Sequence, residues 1–242
     1  LESPYKIQKL DWDTSFFGIS CAKVILSEPV QKSDWKQIKH EINNYDFVSI
    51  VNENSEPLNA QYIGQETNAF LSDVNIQFEK KTAFEQPSKE SNSIVISSMM
   101  EENDEILKLS DFGFSKFVED PGLRSRGGDQ VYYEWLRNAF NRQDKFFAVD
   151  YDEKKSVNGY LLYSINNRKC VIELIAVSRD KGAKGVGTRL FKALENWLLN
   201  KGIEVIKVGT QLRNIGAINF YQKMGCKQVA SHQIYHNWNI NP

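Results

Sequence analysis

An apolar strand that runs into a glycine-rich loop and restarts as an amphipathic helix is the feature of this chain that most restricts its fold. Residues 169–177 read as the strand, Gly182, Gly185 and Gly187 punctuate the loop, and Val186, Leu190, Leu194, Trp197 and Leu198 recur at helical spacing as far as Asn200. Asn166-Asn167 separates this strand from an earlier one at 157–165, which is the turn signal of an antiparallel hairpin, and a third strand is read at 145–149. After the helix come a strand at 204–208, a helix opening at Asn214 and a last strand through Ile234-Tyr235. Antiparallel strands that lead into β-loop-α-β-α-β predict an α+β fold with a mixed, mostly antiparallel sheet, not a regularly alternating doubly wound one.

Upstream, the chain reads as a smaller β-rich half. Phe16-Phe17-Gly18-Ile19 through Leu26 reads as a strand, and 32–44 as a helix with Trp35, Ile38 and Ile42 on one side. An apolar run follows at 46–51, and from Leu71 an alternating strand puts Val74, Ile76 and Phe78 on one face. The stretch EKKTAFEQPSKESNS at 79–93 is polar apart from Ala83 and Phe84, which divides the chain into 1–85 and 93–242. No repeat of fixed period is evident. Beyond the boundary a short strand at Ile94–Ile96 and a helix at 104–109 precede a loop with Pro121-Gly122 and Gly127-Gly128. Asp129 then reads as the N-cap of a helix carrying Val131, Tyr132, Trp135, Leu136, Ala139 and Phe140.

Over 242 residues, 30 Lys and Arg balance 31 Asp and Glu, for a formal net charge of −1. That balance removes the electrostatic case for a nucleic-acid or membrane-surface partner. The cysteines, Cys21, Cys170 and Cys226, are odd in number and far apart, which suits a reducing compartment and no disulfide framework. Their spacing to His40, His232 and His236 builds no metal site, although His232 and His236 would share a strand face. No apolar run reaches the length of a membrane span, and LESPYKIQKLDWD has no signal-like core, so the expected location is cytoplasmic.

The glycine loop is where chemistry is expected. A helix start presents unpaired N–H groups and the positive end of its dipole, and glycines let a phosphate come close to that backbone. Lys181, Lys184 and Arg189 flank the loop, either meeting further phosphate charge or forming a solvated surface. GxxxxGK[ST] fails because no Lys-Ser/Thr pair follows Gly187, and GxGxxG fails because Leu190 stands where its last glycine would. A dinucleotide loop would moreover follow the first strand of a βαβ unit, not a hairpin late in the chain.

Gly185-Val186-Gly187 matches the glycine half of a strand followed by Gln/Arg-x-x-Gly-x-Gly/Ala, and here the chain resembles the GNAT acyltransferase superfamily. Gly182 stands where that family usually has Gln or Arg, and Cys226 where it usually has Phe. The second block, Asn214-Ile215-Gly216-Ala217-Ile218-Asn219-Phe220-Tyr221, looks like the family's Asn-x-x-Ala-x-x-Phe-Tyr, and the two blocks span 145–240 in the family's order. The resemblance implies a GNAT fold with acyl-CoA as cosubstrate and no metal. Its cofactor contacts would come from Ile175, Ala176 and Val177, from Gly182, Ala183, Lys184, Gly185, Val186, Gly187 and Thr188, and from Asn214. On its own terms the second block is a helix with Asn214 as cap and Ala217, Phe220, Tyr221 and Met224 as a stripe, so Tyr221 is either a core aromatic or the acid that protonates a departing thiolate. Glu173, read on the face of Ile175 and Val177, is either a proton acceptor for an attacking amine or an ion-paired strand residue.

Leu10-Asp11-Trp12-Asp13-Thr14-Ser15-Phe16-Phe17-Gly18, Ser115-Lys116-Phe117 and Asp120-Pro121 resemble a GNAT subfamily with an added amino-terminal half, the acetyltransferases of dTDP-4-amino-4,6-dideoxygalactose. This implies transfer of an acetyl or hydroxyacyl group to a nucleotide-linked amino sugar, with Phe16, Phe17, Lys116, Asp120, Tyr132 and Trp135 on the substrate side, the four aromatics either stacking on a thymine or sugar face or serving as core, and a homodimer as the assembly. A protein or small-molecule amine as acceptor, and a noncatalytic acyl-CoA-binding module, are the alternatives.

Overall fold

The computed structural model describes residues 3–83, 93–178 and 185–241. Its first half runs β1 (Tyr5–Lys9), α1 (Asp11–Phe17), β2 (Cys21–Leu26), α2 (Lys32–Ile42), β3 (Phe47–Asn52), α3 (Pro57–Glu66) and β4 (Phe70–Lys81). The second half opens with β5 (Ile94–Ser98) and four short helices: α4 (Asp104–Leu107), α5 (Lys116–Glu119), α6 (Pro121–Arg124) and α7 (Val131–Arg137). Then follow β6 (Phe146–Tyr151), β7 (Val157–Asn166), β8 (Lys169–Val177), α8 (Val186–Asn200), β9 (Val205–Gln211), α9 (Ile215–Lys223) and β10 (Lys227–Trp238).

All of these strands join one ten-stranded sheet in the order β1-β2-β3-β10-β4-β9-β8-β7-β6-β5. The order contains a repeat that no residue spacing announces. In each half a hairpin (β1-β2, β7-β8) is followed by a helix and a strand parallel to its second member (α2-β3, α8-β9). Each half then adds a further helix and a last strand, and those last strands are exchanged. β10 of the second half pairs with β3 of the first, β4 of the first pairs with β9 of the second, and β4 and β10 pair antiparallel at the centre. The sheet is therefore continuous across the boundary expected near 85–93, where residues 84–92 lie outside those described.

Packing explains the long elements. Val186, Leu190, Leu194 and Leu198 of α8 are each at most 1% exposed, against Ile76, Phe78, Leu161 and Ile206 of the sheet. Full burial of each such side chain stabilises by roughly 1.5–3 kcal/mol, which fixes the position of the helix start over the sheet. The opposite face packs on α4 and α7 through Ile106, Leu136, Phe147 and Leu162. The Asn166-Asn167 turn is tight, with positive φ at Asn167 (48°) and Arg168 (61°), as a two-residue hairpin requires.

Three expectations change. Phe16 and Phe17 lie in helix α1, not a strand: Asp11 and Asp13 favour its first turn and Gly18 (φ 68°) ends it. Asp129 does not cap a helix; it lies in a 3-10 turn at Gly128–Gln130, with its carboxylate held by the Gln130 side chain at 2.9 Å. The sequence reading contained no α3, although Pro57 at its start and Glu56 accepting from the Leu58 N–H mark it plainly. Among the described residues, no helix is long and apolar enough to cross a membrane and no cluster of His, Cys, Asp and Glu could hold a metal ion.

Candidate functional site

The site opens where two parallel strands part. β8 and β9 pair from Lys169↔Val205 to Ile172↔Val208 and then separate. β9 stays beside β4 as far as Gln211↔Asn75, whereas β8 stays beside β7 as far as Val177↔Gly159. Glu173 is the extra residue where the β7–β8 register steps from Tyr163↔Ile172 to Leu162↔Leu174, and a bulge of this kind bends its strand. A cavity of about 910 Å³ fills the gap, lined by residues 171–178 of β8 and its end, Gly209, Thr210 and Gln211 of β9, and Asn214, Ala217 and Tyr221 around α9. Ile175, Ala176 and Val177 thus line the cavity with a backbone edge that has no strand partner among the described residues.

The bulge also corrects the reading of Glu173. Cys170 and Ile172 pack toward α8, but one residue later the phase has slipped: Ile175 packs toward α8 while Leu174 and Ala176 pack toward α7. Glu173 does not share the face of Ile175. Its Oε1 takes the Lys145 ammonium at 2.5 Å and its Oε2 accepts from Trp135 Nε1 at 3.3 Å, so both oxygens are held at the rim beside α7.

At the start of α8, Gly185 takes the left-handed conformation (φ 82°) and provides no side-chain cap. The first intrahelical bond runs from the Arg189 N–H to the Gly185 carbonyl at 2.9 Å, so the N–H groups of Val186, Gly187 and Thr188 lack helical acceptors. The corresponding start of α2 differs. There Gln31 and Asp34 form a reciprocal capping box, which occupies the same kind of donors with the protein's own side chains. Among the described residues, the start of α8 offers backbone donors suited to an anion and the end of β8 offers a strand edge suited to an amide-bearing chain. Val186 offers only its backbone, because its side chain is in the core. Arg189 pairs with buried Asp150 at 2.8 Å. Gly182, Ala183 and Lys184, with Lys181, lie outside the described residues.

Tyr221 projects from α9 into the same cavity. It is 3% exposed, its ring packs on Phe78 and Phe220, and its hydroxyl has no hydrogen-bond partner among the described residues. Burial drives its phenol well above the ordinary value, with the neighbouring Cys226 adding to the effect, so the proton stays on oxygen. Asn214 caps α9 by accepting from the Ala217 N–H at 3.1 Å and also lines the cavity.

The far side of the cavity is aromatic and amide-bearing. Tyr132 lies 4.9 Å from Phe112, 5.9 Å from Phe117 and 6.1 Å from Trp135, measured between ring centres. Lys116 and, from β4, Asp73, Asn75 and Gln77 complete that wall. Burial pushes the Lys116 ammonium down to about 8, assisted by Lys23 and opposed by Asp73 and Asp13. Burial raises the Asp73 carboxyl against the pull of Lys116. Sequence reading missed Asp73, Asn75, Gln77 and Gly209, because a polar face alternating with Val74, Ile76 and Phe78 looks like a solvated one.

Three residues expected on the substrate side lie elsewhere. Phe17 is in a small core with Leu123 and Val131, and Phe16 stacks on Trp12 at 4.8 Å against that core. Asp120 is 1% exposed: it caps α6 through the Gly122 N–H at 2.9 Å, meets His236 Nδ1 at 2.6 Å and accepts from Trp238 Nε1 at 3.1 Å. With every partner internal, the Asp120 carboxylate holds β10 against α6 and does not face the cavity. His236 belongs to this network, and His232 accepts from the Asn54 N–H at 3.1 Å, so the two histidines hold structure separately.

Residues 104–226 match the family model described as Acetyltransferase (GNAT) family. Over 134 residues the chain is 29% identical to the spore coat polysaccharide biosynthesis protein SpsD of Bacillus subtilis, a match covering 54% of this chain and 45% of SpsD. It is 24% identical to the uncharacterized N-acetyltransferase YobR of the same organism, covering 47% of this chain and 46% of that protein. The chain thus spans about half the length of these curated relatives. Among solved structures, a GCN5-related N-acetyltransferase from Sphaerobacter thermophilus superposes with a TM-score of 0.64 at 11% identity, covering 99% of this chain and 78% of that one. A tandem GNAT protein from the clavulanic acid biosynthesis pathway gives 0.60 at 12% identity, covering 93% and 78%. Both share the fold.

Proposed function

Starting from a chain that belongs to the acetyltransferase (GNAT) family, we propose that it moves an acetyl or hydroxyacyl group from acyl-CoA to the amine of a dTDP-linked amino-dideoxyhexose. The single observation that carries the reading is the parting of β8 from β9, which opens one cavity lined by the end of β8 and by the phenol of Tyr221, with the glycine-led start of α8 following β8 in the chain. The sugar acceptor draws support from the aromatic and amide-bearing far wall. SpsD, by its name a protein of polysaccharide biosynthesis, adds to that support.

In this reading the N–H groups of Val186, Gly187 and Thr188 hold the diphosphate, and the free edge of Ile175–Val177 holds the pantetheine arm by backbone hydrogen bonds. One N–H of that edge donates to the thioester carbonyl as negative charge develops on its oxygen. The acceptor amine attacks the carbonyl carbon directly in a ternary complex; the C–N bond forms, the C–S bond breaks, and the proton lost from the amine nitrogen passes through solvent to the phenolate that Tyr221 becomes on protonating the sulfur. Tyr221 donates its phenolic proton to the departing sulfur. The burial that holds this phenol protonated also disfavours a bare thiolate in the same cavity, so the transfer is not opposed by the whole of the phenol's upward displacement. Lys116, Tyr132 and Trp135 line the acceptor end.

The test is an assay of dTDP-4-amino and dTDP-3-amino sugars with acetyl-CoA and longer hydroxyacyl-CoAs. Product from at least one pair is expected. Binding of CoA with no transfer to any amino sugar would refute this acceptor class.

A further inference from the structure

β4 belongs by sequence to the first half of the chain, yet the strand exchange sets it beside β9, at the wall of the second half's cavity. Its side chains alternate. Val74, Ile76 and Phe78 pack under α8 and α9, while Asp73, Asn75 and Gln77 line the cavity. Gln77 Nε2 donates to Asn75 Oδ1, which leaves the Asn75 amide hydrogens and the Gln77 carbonyl oxygen without a partner among the described residues. Both amides lie over Gly209 of β9. A Cβ there would stand 2.7 Å from Gln77 Nε2 and 2.9 Å from Asn75 Oδ1, so the missing side chain is the space in which these two groups sit.

The ring cluster of Phe112, Phe117, Tyr132 and Trp135 lines the same cavity. Amides and aromatic rings lining one cavity suit a polyhydroxylated ring: hydroxyl groups need both donors and acceptors, and the C–H face of a pyranose packs on an aromatic surface. A flexible polycation would call for several free carboxylates; of the three that line the cavity, Asp73 is near Lys116 and Glu173 is held by Lys145 and Trp135, with Asp111 the third.

Resting on the acyltransfer reading above, we infer that Asp73, Asn75 and Gln77, kept in place by the bare backbone of Gly209, bind the hydroxyl-bearing ring of the acceptor and set acceptor specificity. The first half thereby contributes acceptor recognition to a site whose donor-binding parts all come from the second.

Steady-state kinetics with acetyl-CoA and dTDP-4-amino-4,6-dideoxygalactose test this on Gln77→Ala, Gly209→Ala and the double variant. Each single change is expected to raise the acceptor KM about tenfold, the equivalent of one hydrogen bond, with the acetyl-CoA KM within twofold of wild type. The retained acetyl-CoA KM also reports that the variants are folded. Because both changes disturb one amide, the double variant should be no worse than the poorer single one, a non-additive result. An unchanged acceptor KM in both single variants, additive effects, or an equal rise in the acetyl-CoA KM would each overturn the inference while leaving the acyltransfer reading intact. Wild-type protein that acetylates spermidine and no amino sugar, or that leaves every amino sugar unreacted, would overturn both.

Discussion

Lys116 is the side chain for which structure and sequence make opposed demands, and replacing it with Met separates them. Burial holds its ammonium near 8, from an ordinary value of 10.5, with Lys23 working in the same direction. At about 1.4 kcal/mol per pH unit, that interval makes the charged lysine ~3 kcal/mol unfavourable to the folded state. Below pH 8 both folded and unfolded chains carry the proton, so the whole penalty is present at pH 7. Between about 8 and 10.5 the unfolded chain binds more protons than the folded one, and the penalty fades. Lys116→Met should therefore be more stable than wild type by ~3 kcal/mol at pH 7, roughly 6–12 °C in Tm for a chain of this size, and by less than ~1 kcal/mol at pH 10. Urea denaturation of both proteins at pH 7, 8, 9 and 10 reads this difference. The comparison also cancels the buried thiols, which act in the opposite sense over the same range. If Lys116 serves the acceptor, the stabler variant should at the same time lose acceptor affinity. A variant less stable than wild type at pH 7, or a gap that stays constant to pH 10, would refute the reasoning.

Tyr221→Phe keeps the ring packing and removes the proton, so turnover should fall roughly 100-fold with acetyl-CoA affinity unchanged in calorimetry; an unaltered rate would remove the phenol from the mechanism. Asp120→Asn leaves His236 and Trp238 without their charged acceptor and should lower stability by ~2–4 kcal/mol in urea, with the loss exceeding any change in acceptor KM. Gly185→Val puts a β-branched residue at a φ of 82° and should weaken acetyl-CoA binding more than tenfold by displacing the first turn of α8, measured by titration calorimetry. Burial lifts the Cys21 and Cys170 thiols to about 12 and Cys226 to about 11, above the ordinary 9, so the folded chain keeps protons that the unfolded chain loses. Wild-type stability should accordingly carry a thiol contribution that declines above about pH 9, and the decline should flatten in Cys170→Ala.

What the sequence disclosed was local. α8 begins at Val186 and ends at Asn200, as read, because its apolar stripe and the glycine before it are both encoded within a few residues. Asn214 caps α9, and the turn at Asn166-Asn167 closes the hairpin, for the same reason. The bulge at Glu173 was illegible, since one extra residue in a strand changes which face follows without changing composition, and the expected neighbours of Glu173 were wrong on that account. α1 was read as a strand because two adjacent phenylalanines suit either state, and Gly18 was taken as part of the run instead of its stop. Asp73, Asn75 and Gln77 were visible as a polar face, but nothing local says that β4 leaves its own half, so a cavity wall resembled a solvated surface.

The two similar halves differ in the two features that the proposed donor site uses. In the second half β8 and β9 pair over their first four residues and part beyond a bulge; in the first, β2 and β3 pair along their whole length from Cys21↔Phe47 to Leu26↔Asn52. The closed pair leaves no free strand edge for a pantetheine arm, and Gln31 and Asp34 already occupy the helix start that would meet a diphosphate. Two independent features, a ladder without a gap and a helix with its own cap, thus argue against a second acyl-CoA in the first half. The same half is nonetheless bound to the chemistry, because withdrawing β4 would remove the neighbour of β9 and one wall of the cavity together. The first half thus completes the sheet and lines part of the cavity of the second.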